Sequence, residues 1–132
     1  MVTPDDVLAV ARGLPRSDEV WVYGRLKFRV KQIVWLAFSK DFTEIGFAFP
    51  KEWRPVVVES EPHKFVLPRE SDMRFNWLHA RLDALEPDEM RDLVLDAWRF
   101  VVPKRVAVRR AEARRGRVRA AARPAQRIAR RH

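Results

Sequence analysis

The chain has 132 residues, a formal charge of +9, 47% hydrophobic residues, eight Phe, five Trp and no cysteine. That length allows one domain and a tail, and the aromatics supply enough buried area for a real core. Without cysteine, disulfides, thiolate catalysis and cysteine-ligated zinc or iron–sulfur centres are excluded, and the redox compartment is not readable from thiols. The opening MVTPDD is acidic and has no positive region ahead of an apolar run, so no signal peptide is expected there. No apolar stretch approaches ~20 residues, which removes a membrane-spanning helix. A soluble cytoplasmic protein is the expectation.

The charge is unevenly placed. Residues 103–132 hold 12 Lys and Arg against one acid, Glu112, a net of +11. Residues 1–102 hold 15 basic against 17 acidic residues, a net of −2. The pattern is one nearly neutral domain, 1–103, carrying a basic arm, 104–132.

Thr3 is a good helix N-cap, followed by Pro4 and the first-turn acids Asp5 and Asp6. Val7, Val10, Ala11 and Leu14 recur at helical spacing, and Gly13 with Pro15 closes the helix. Residues 16–19 read as a polar loop. From Val20 the pattern becomes extended. Leu26, Phe28 and Val30 alternate with Lys27, Arg29 and Lys31, a half-buried strand whose wet face is entirely basic. Residues 33–38 are apolar throughout, as in a strand buried on both sides. Ile45, Phe47 and Phe49 alternate with Gly46 and Ala48 in a third strand. Connections this short cannot be crossovers, so the three should form an antiparallel meander.

Residues 50–59 suggest a short helix, although Pro55 and three consecutive valines oppose it. A brief strand at 65–67 and a projecting loop at 68–74 follow. The stretch 75–82, with Phe75, Trp77, Leu78, Ala80 and Leu82, reads as a central strand covered on both faces. Pro87, Asp88 and Glu89 then start a helix, and Met90, Leu93, Val94, Ala97, Trp98 and Val101 make one apolar stripe. Pro103 ends it. The expected fold is α+β, an antiparallel sheet of about five strands packed against helices. Beyond Pro103, Arg and Ala favour helix intrinsically, but arginines surround any helix drawn through the segment. The arm is read as disordered or partly helical.

Three segments, WVYGRLKFRVKQIVWLAFSKD, HKFVLPRESDMRFNWLHARL and DLVLDAWRFVVPKRV, together resemble the MmcQ/YjbR family of small bacterial proteins, over nearly all of 1–105. The resemblance implies a fold similar to CyaY, the bacterial frataxin, with a sheet backed by helices. It also implies a double-wing arrangement of loops, for which DNA binding has been proposed. It carries no catalytic residues over to this chain. The arm lies outside the family pattern and resembles the Ala/Arg/Pro-rich arms of nucleoid proteins.

The arm is the strongest functional signal. It is either a solvated tail that aids solubility or a polyanion-binding segment. Arg105, Arg109, Arg110, Arg114, Arg115, Arg117, Arg119, Arg123 and Arg127 would then be its phosphate contacts. Each phosphate neutralised releases counterions, and guanidinium suits bidentate phosphate contacts. Bulky apolar anchors are nearly absent, so nucleic acid fits better than lipid. The Lys27, Arg29 and Lys31 face is either an ordinary solvated strand face or a second phosphate-binding surface. Arg69 and Arg74 in the projecting loop are candidate wing contacts, diluted by Glu70 and Asp72. Of the tryptophans, Trp21 and Trp53 are candidates for exposure, while Trp35, Trp77 and Trp98 sit in core patterns.

Enzyme readings find little support. His63 and His79 have no carboxylate at ligand spacing, so neither a metal nor any other cofactor is expected. No phosphate loop, nucleophile elbow or carboxylate pair occurs. An iron-binding acidic ridge would need more than Asp5 and Asp6, which the helix start explains. The expectation is a non-enzymatic, DNA-binding protein, with DNA a better fit than RNA and a monomer as the default. The alternative is a protein- or small-ligand-binding module whose arm serves localisation or solubility.

Overall fold

The structure, a computed structural model, describes residues 1–112. The chain divides into two units, Met1–Val102 and a second that begins at Pro103. Of the second, 104–112 is helical, and the Pro103 carbonyl accepts from the amides of Val106 (2.9 Å) and Ala107 (3.4 Å).

In the first unit, helix α1 (Pro4–Ala11) starts as its sequence dictates. The Thr3 hydroxyl accepts from the Asp6 amide at 3.2 Å, and the Asp6 carboxylate accepts from the Thr3 amide at 2.9 Å. This reciprocal cap satisfies two otherwise orphaned donors. Strand β1 (Asp18–Val22) begins within residues read as a polar loop. It is an edge strand and needs no apolar alternation; it pairs with β2 (Arg25–Val30) through a turn in which Tyr23 and Gly24 have φ of 50° and 78°. Positive φ at both turn residues matches the twist of a two-residue hairpin. Arg12 grips Glu19 with two hydrogen bonds of 2.8 and 2.7 Å, tying the end of α1 to β1.

Strands β3 (Ile33–Phe38) and β4 (Glu44–Ala48) continue the meander antiparallel, as their short connections require. A 3-10 turn, Lys51–Trp53, then leads into α2 (Arg54–Ser60). Pro55 is tolerated because it stands in the first turn, where its missing N–H has no helical partner to lose. After β5 (Phe65–Val66) and β6 (Trp77–Arg81) the chain enters α3 (Pro87–Val101). Among the described residues the sheet has six strands in the order β1-β2-β3-β4-β6-β5. The unit is thus the α+β sheet-and-helix fold expected, with β1 added to the five strands the sequence suggested.

Helix α3 packs on β3, β4 and α1. Met90, Val94, Ala97 and Trp98 of its stripe are buried, but so is Leu95, while Leu93 and Val101 are half-buried. The Trp98 indole donates to the Pro15 carbonyl at 2.9 Å, and Trp35 donates to the Ser17 hydroxyl at 2.9 Å. Both large rings thereby satisfy their polar atom while filling the core. Leu26, Phe28, Leu36, Phe38, Ile45, Phe47, Leu78 and Ala80 complete the helix-covered face of the sheet.

Two strands expected to be covered on both faces are covered on one. In β3, Ile33 is 53% exposed and Val34 and Ala37 are half-buried. In β6, Leu78 and Ala80 are buried while Trp77, His79 and Arg81 are only half so. The apolar count of 75–82 misled because Phe75, 50% exposed, precedes the strand, and because one face holds Trp77 without being core. Helix α3 thus backs the buried face of the sheet, while the other face, whose groove Phe100 and Val101 at the end of α3 also border, is where candidate functional groups collect.

Candidate nucleic-acid interface

Register sets the composition of the open face. Lys27 on β2, Ala37 on β3, Gly46 on β4 and His79 on β6 are consecutive cross-strand partners. Two small residues between two large polar ones make a trough, because side-chain height falls to almost nothing at the centre of the row. Trp77, one pleat along β6, extends over Gly46. A Cβ on that glycine would lie 2.5 Å from the indole Nε1, so only glycine permits this approach.

The trough is part of a groove of about 630 Å³ bordered by Arg25, Lys27, Ala37, Trp77, His79 and Arg69, among others. Arg25, Lys27 and Arg29 alternate along β2, so all three leave from the open face. None of them forms an ion pair with a described residue, and the buried Nε of Arg29 has no hydrogen-bond partner among them. Lys31 does not belong to this face. It lies beyond the end of β2, exposed in the turn to β3 with φ of 57°. The alternation stops at Val30, because the chain must reverse there to pair with β3.

Across the groove, His79 Nδ1 stands 3.9 Å from a Glu44 carboxylate oxygen. Burial lowers the His79 pKa below its ordinary value; Glu44 opposes that shift and Arg25 adds to it. The imidazole is therefore mostly neutral at pH 7, and the fixed positive charge of the face comes from Arg25, Lys27 and Arg29 on β2 together with Arg69 and Arg81.

The loop between β5 and β6 forms a wall. Buried Arg54, at the start of α2, donates to the carbonyls of Phe75 (2.8 Å), Trp77 (3.0 Å) and Met73. A guanidinium presents its donors in a fixed fork, so one side chain fixes two carbonyls of the loop and the first carbonyl of β6. Nothing in the local sequence RPVVV signals this role. Of the two candidate wing arginines, Arg69 pairs loosely with Asp72 at 3.4 Å, and Arg74 lies 4.7 Å over the Phe75 ring. Trp21 and Trp53, the two candidates for exposure, are exposed at 63% and 61%. Trp77, assigned to the core by sequence, is instead the ring of the open face.

In the second unit Arg105 and Arg109 are exposed and Arg110 is half-buried. Arg114, Arg115, Arg117, Arg119, Arg123 and Arg127 lie outside the described residues. No helix among the described residues is long and apolar enough to cross a membrane.

With this arrangement in hand, the chain is similar to the crystal structure of Deinococcus radiodurans protein DR2400, which carries the family-model domain DUF419. The TM-score is 0.65, with 17% sequence identity over 76% of this chain and 79% of that one. The fold is DUF419-like. DUF419 is a YjbR/MmcQ-like family. No family model matches the present sequence, and no curated protein does. At that identity the likeness speaks for the fold, and the chemistry must be argued from this chain's own residues.

Proposed function

We propose that the chain is an MmcQ/YjbR-type, non-enzymatic DNA-binding protein, holding phosphates through its basic arm and through β2. The observation that carries this reading is the isolation of Arg25, Lys27 and Arg29. The first unit has 17 acids to pair with 15 bases, yet these three cations share one uncovered face without an ion pair to any described residue. Of the unit's twelve other cations, Arg12, Lys64, Arg69, Arg91 and Arg99 have carboxylate partners; what distinguishes the three on β2 is that they stand unpaired in one row on one face. Unpaired guanidinium and ammonium groups on a half-buried surface gain most from a polyanion, because counterions are released as phosphates take their place. The arm adds a net +11 directly after this unit. The unit's own net of −2 gives little long-range attraction, so the arm supplies most of the non-specific affinity and β2 the local contacts.

The test uses the full chain and a fluorescent duplex. Replacing Lys27 and Arg29 with glutamate weakens binding moderately, and replacing the arm arginines from Arg105 to Arg127 with glutamine removes most of it. Binding unchanged by both sets of substitutions would refute the reading. It would favour a second one, a small-ligand-binding module, to which the size of the groove is suited.

A further inference from the structure

The open-face groove contains more than cations. We propose that it takes one unstacked nucleobase together with its phosphate, so that the protein prefers single-stranded nucleic acid to duplex at this site. This rests on the nucleic-acid reading above and adds a substrate form to it.

Three features of the groove converge on that ligand. Trp77 supplies a ring that borders the groove, is only half-buried, and has no aromatic partner among the described residues. Its position over Gly46 leaves no room beneath for the ring to sink, so the indole is supported from below. Base–aromatic stacking needs such a supported π-face and tolerates any base. Arg25 and Lys27, without ion pairs to described residues, stand on the same groove two strands from Gly46, about 10 Å at the usual strand spacing. They place positive charge beside the ring, where a nucleotide carries its phosphate. Finally, the Asn76 side-chain nitrogen and neutral His79 border the groove and offer donors and an acceptor to a base edge, whereas the Ser39 hydroxyl is already bonded to Asp41, Thr43 and Glu44.

The volume, about 630 Å³, is that of a small-ligand site and far below what a duplex occupies. In a duplex both faces of each base are already stacked, so Trp77 has nothing to meet. Only an unstacked base presents its face. The same chemistry could come from a strand or from a free nucleotide.

The experiment compares three probes on the full-length protein: a ten-residue thymidylate strand, a duplex of ten base pairs, and free thymidine monophosphate. Affinity is read by anisotropy or competition, and tryptophan fluorescence is read alongside. The expected result is that the strand quenches the fluorescence and that Trp77→Leu weakens strand binding by about tenfold or more while leaving duplex binding within twofold. Trp77→Phe, which keeps a ring and guards against misfolding, retains most of the affinity but removes most of the quench. Competition by the free monophosphate at submillimolar concentration assigns the site to nucleotides generally, and its failure to compete assigns the site to strands. A quench that survives Trp77→Phe, or an equal loss of strand and duplex binding in Trp77→Leu, overturns the inference while leaving the electrostatic reading standing. Failure of the unmodified protein to bind either polymer overturns both.

Discussion

Trp77 rests against Gly46 so closely that a Cβ on the glycine would stand 2.5 Å from the indole Nε1 and 2.9 Å from Cε2. The contact joins β6 to β4 across the open face and fixes the ring that borders the groove. Gly46→Ala must push the indole away or bend the strand. A destabilisation of about 1–3 kcal/mol is expected, the usual cost of overpacking. In a double-mutant cycle with Trp77→Ala the two changes should be strongly non-additive, since removing the ring makes room for the new methyl. Additive denaturant midpoints would show that the contact is not the source of the cost.

Arg54 holds the groove's outer wall through the carbonyls of Met73, Phe75 and Trp77. Arg54→Met fills similar volume but leaves those acceptors without their charged donor. Hydrogen bonds to charged groups contribute about 1.5–3 kcal/mol, so a loss of at least about 2 kcal/mol is expected. Amide exchange should accelerate in residues 73–77 before it does in α3. Unchanged exchange in that loop would mean that water replaces the guanidinium at no cost.

His79 gives the protein a mild acid sensitivity. Its pKa is lowered by burial in the folded state, so the unfolded chain binds the proton more readily. The associated stability is complete above the unfolded value of about 6.5 and declines as pH falls from there toward the folded value. Asp6, Glu19 and Asp41 are also lowered, by hydrogen bonds from Thr3, Arg12 and Thr43 respectively, but their contribution is lost only further down, from about pH 4.5. Thermal midpoints should therefore drop between pH 7.5 and 5.5, and His79→Gln should flatten that segment alone. An identical slope in the variant would assign the drop to another group.

Trp98 anchors α3. It is 1% exposed, and its indole donates to the Pro15 carbonyl beyond the end of α1. Trp98→Ala should cost about 3–5 kcal/mol in urea denaturation. Trp98→Phe, which loses mainly the hydrogen bond and part of the ring, should cost distinctly less. A cost below about 1 kcal/mol for the alanine variant would place the side chain outside the core.

Local chemistry made much of this fold legible in advance. Thr3, Pro4 and Asp6 mark α1 because a cap is a contact over three residues, and Pro87 with the acids after it marks α3 for the same reason. The alternation of Leu26, Phe28 and Val30 exposes the basic face of β2 because one face of that strand packs in the core. What stayed hidden depends on partners distant in sequence. Edge strand β1 has no alternation to read. The position of β6 between β4 and β5 comes from pairing, and without it Trp77 passes for core. Lys31 looks like a fourth basic position, after Arg25, until the turn at Val30 is placed. Arg54 has no sequence signature at all, since its three acceptors lie nearly twenty or more residues away along the chain.

The most direct test of the nucleic-acid account is the salt dependence of duplex binding by the unmodified protein. If about six arm arginines neutralise phosphates, affinity should fall by about 10³ between 50 and 200 mM monovalent salt, and the logarithmic slope should shrink as arm arginines are replaced by glutamine. An affinity that hardly changes over that salt range, or a slope indifferent to the arm, would contradict it.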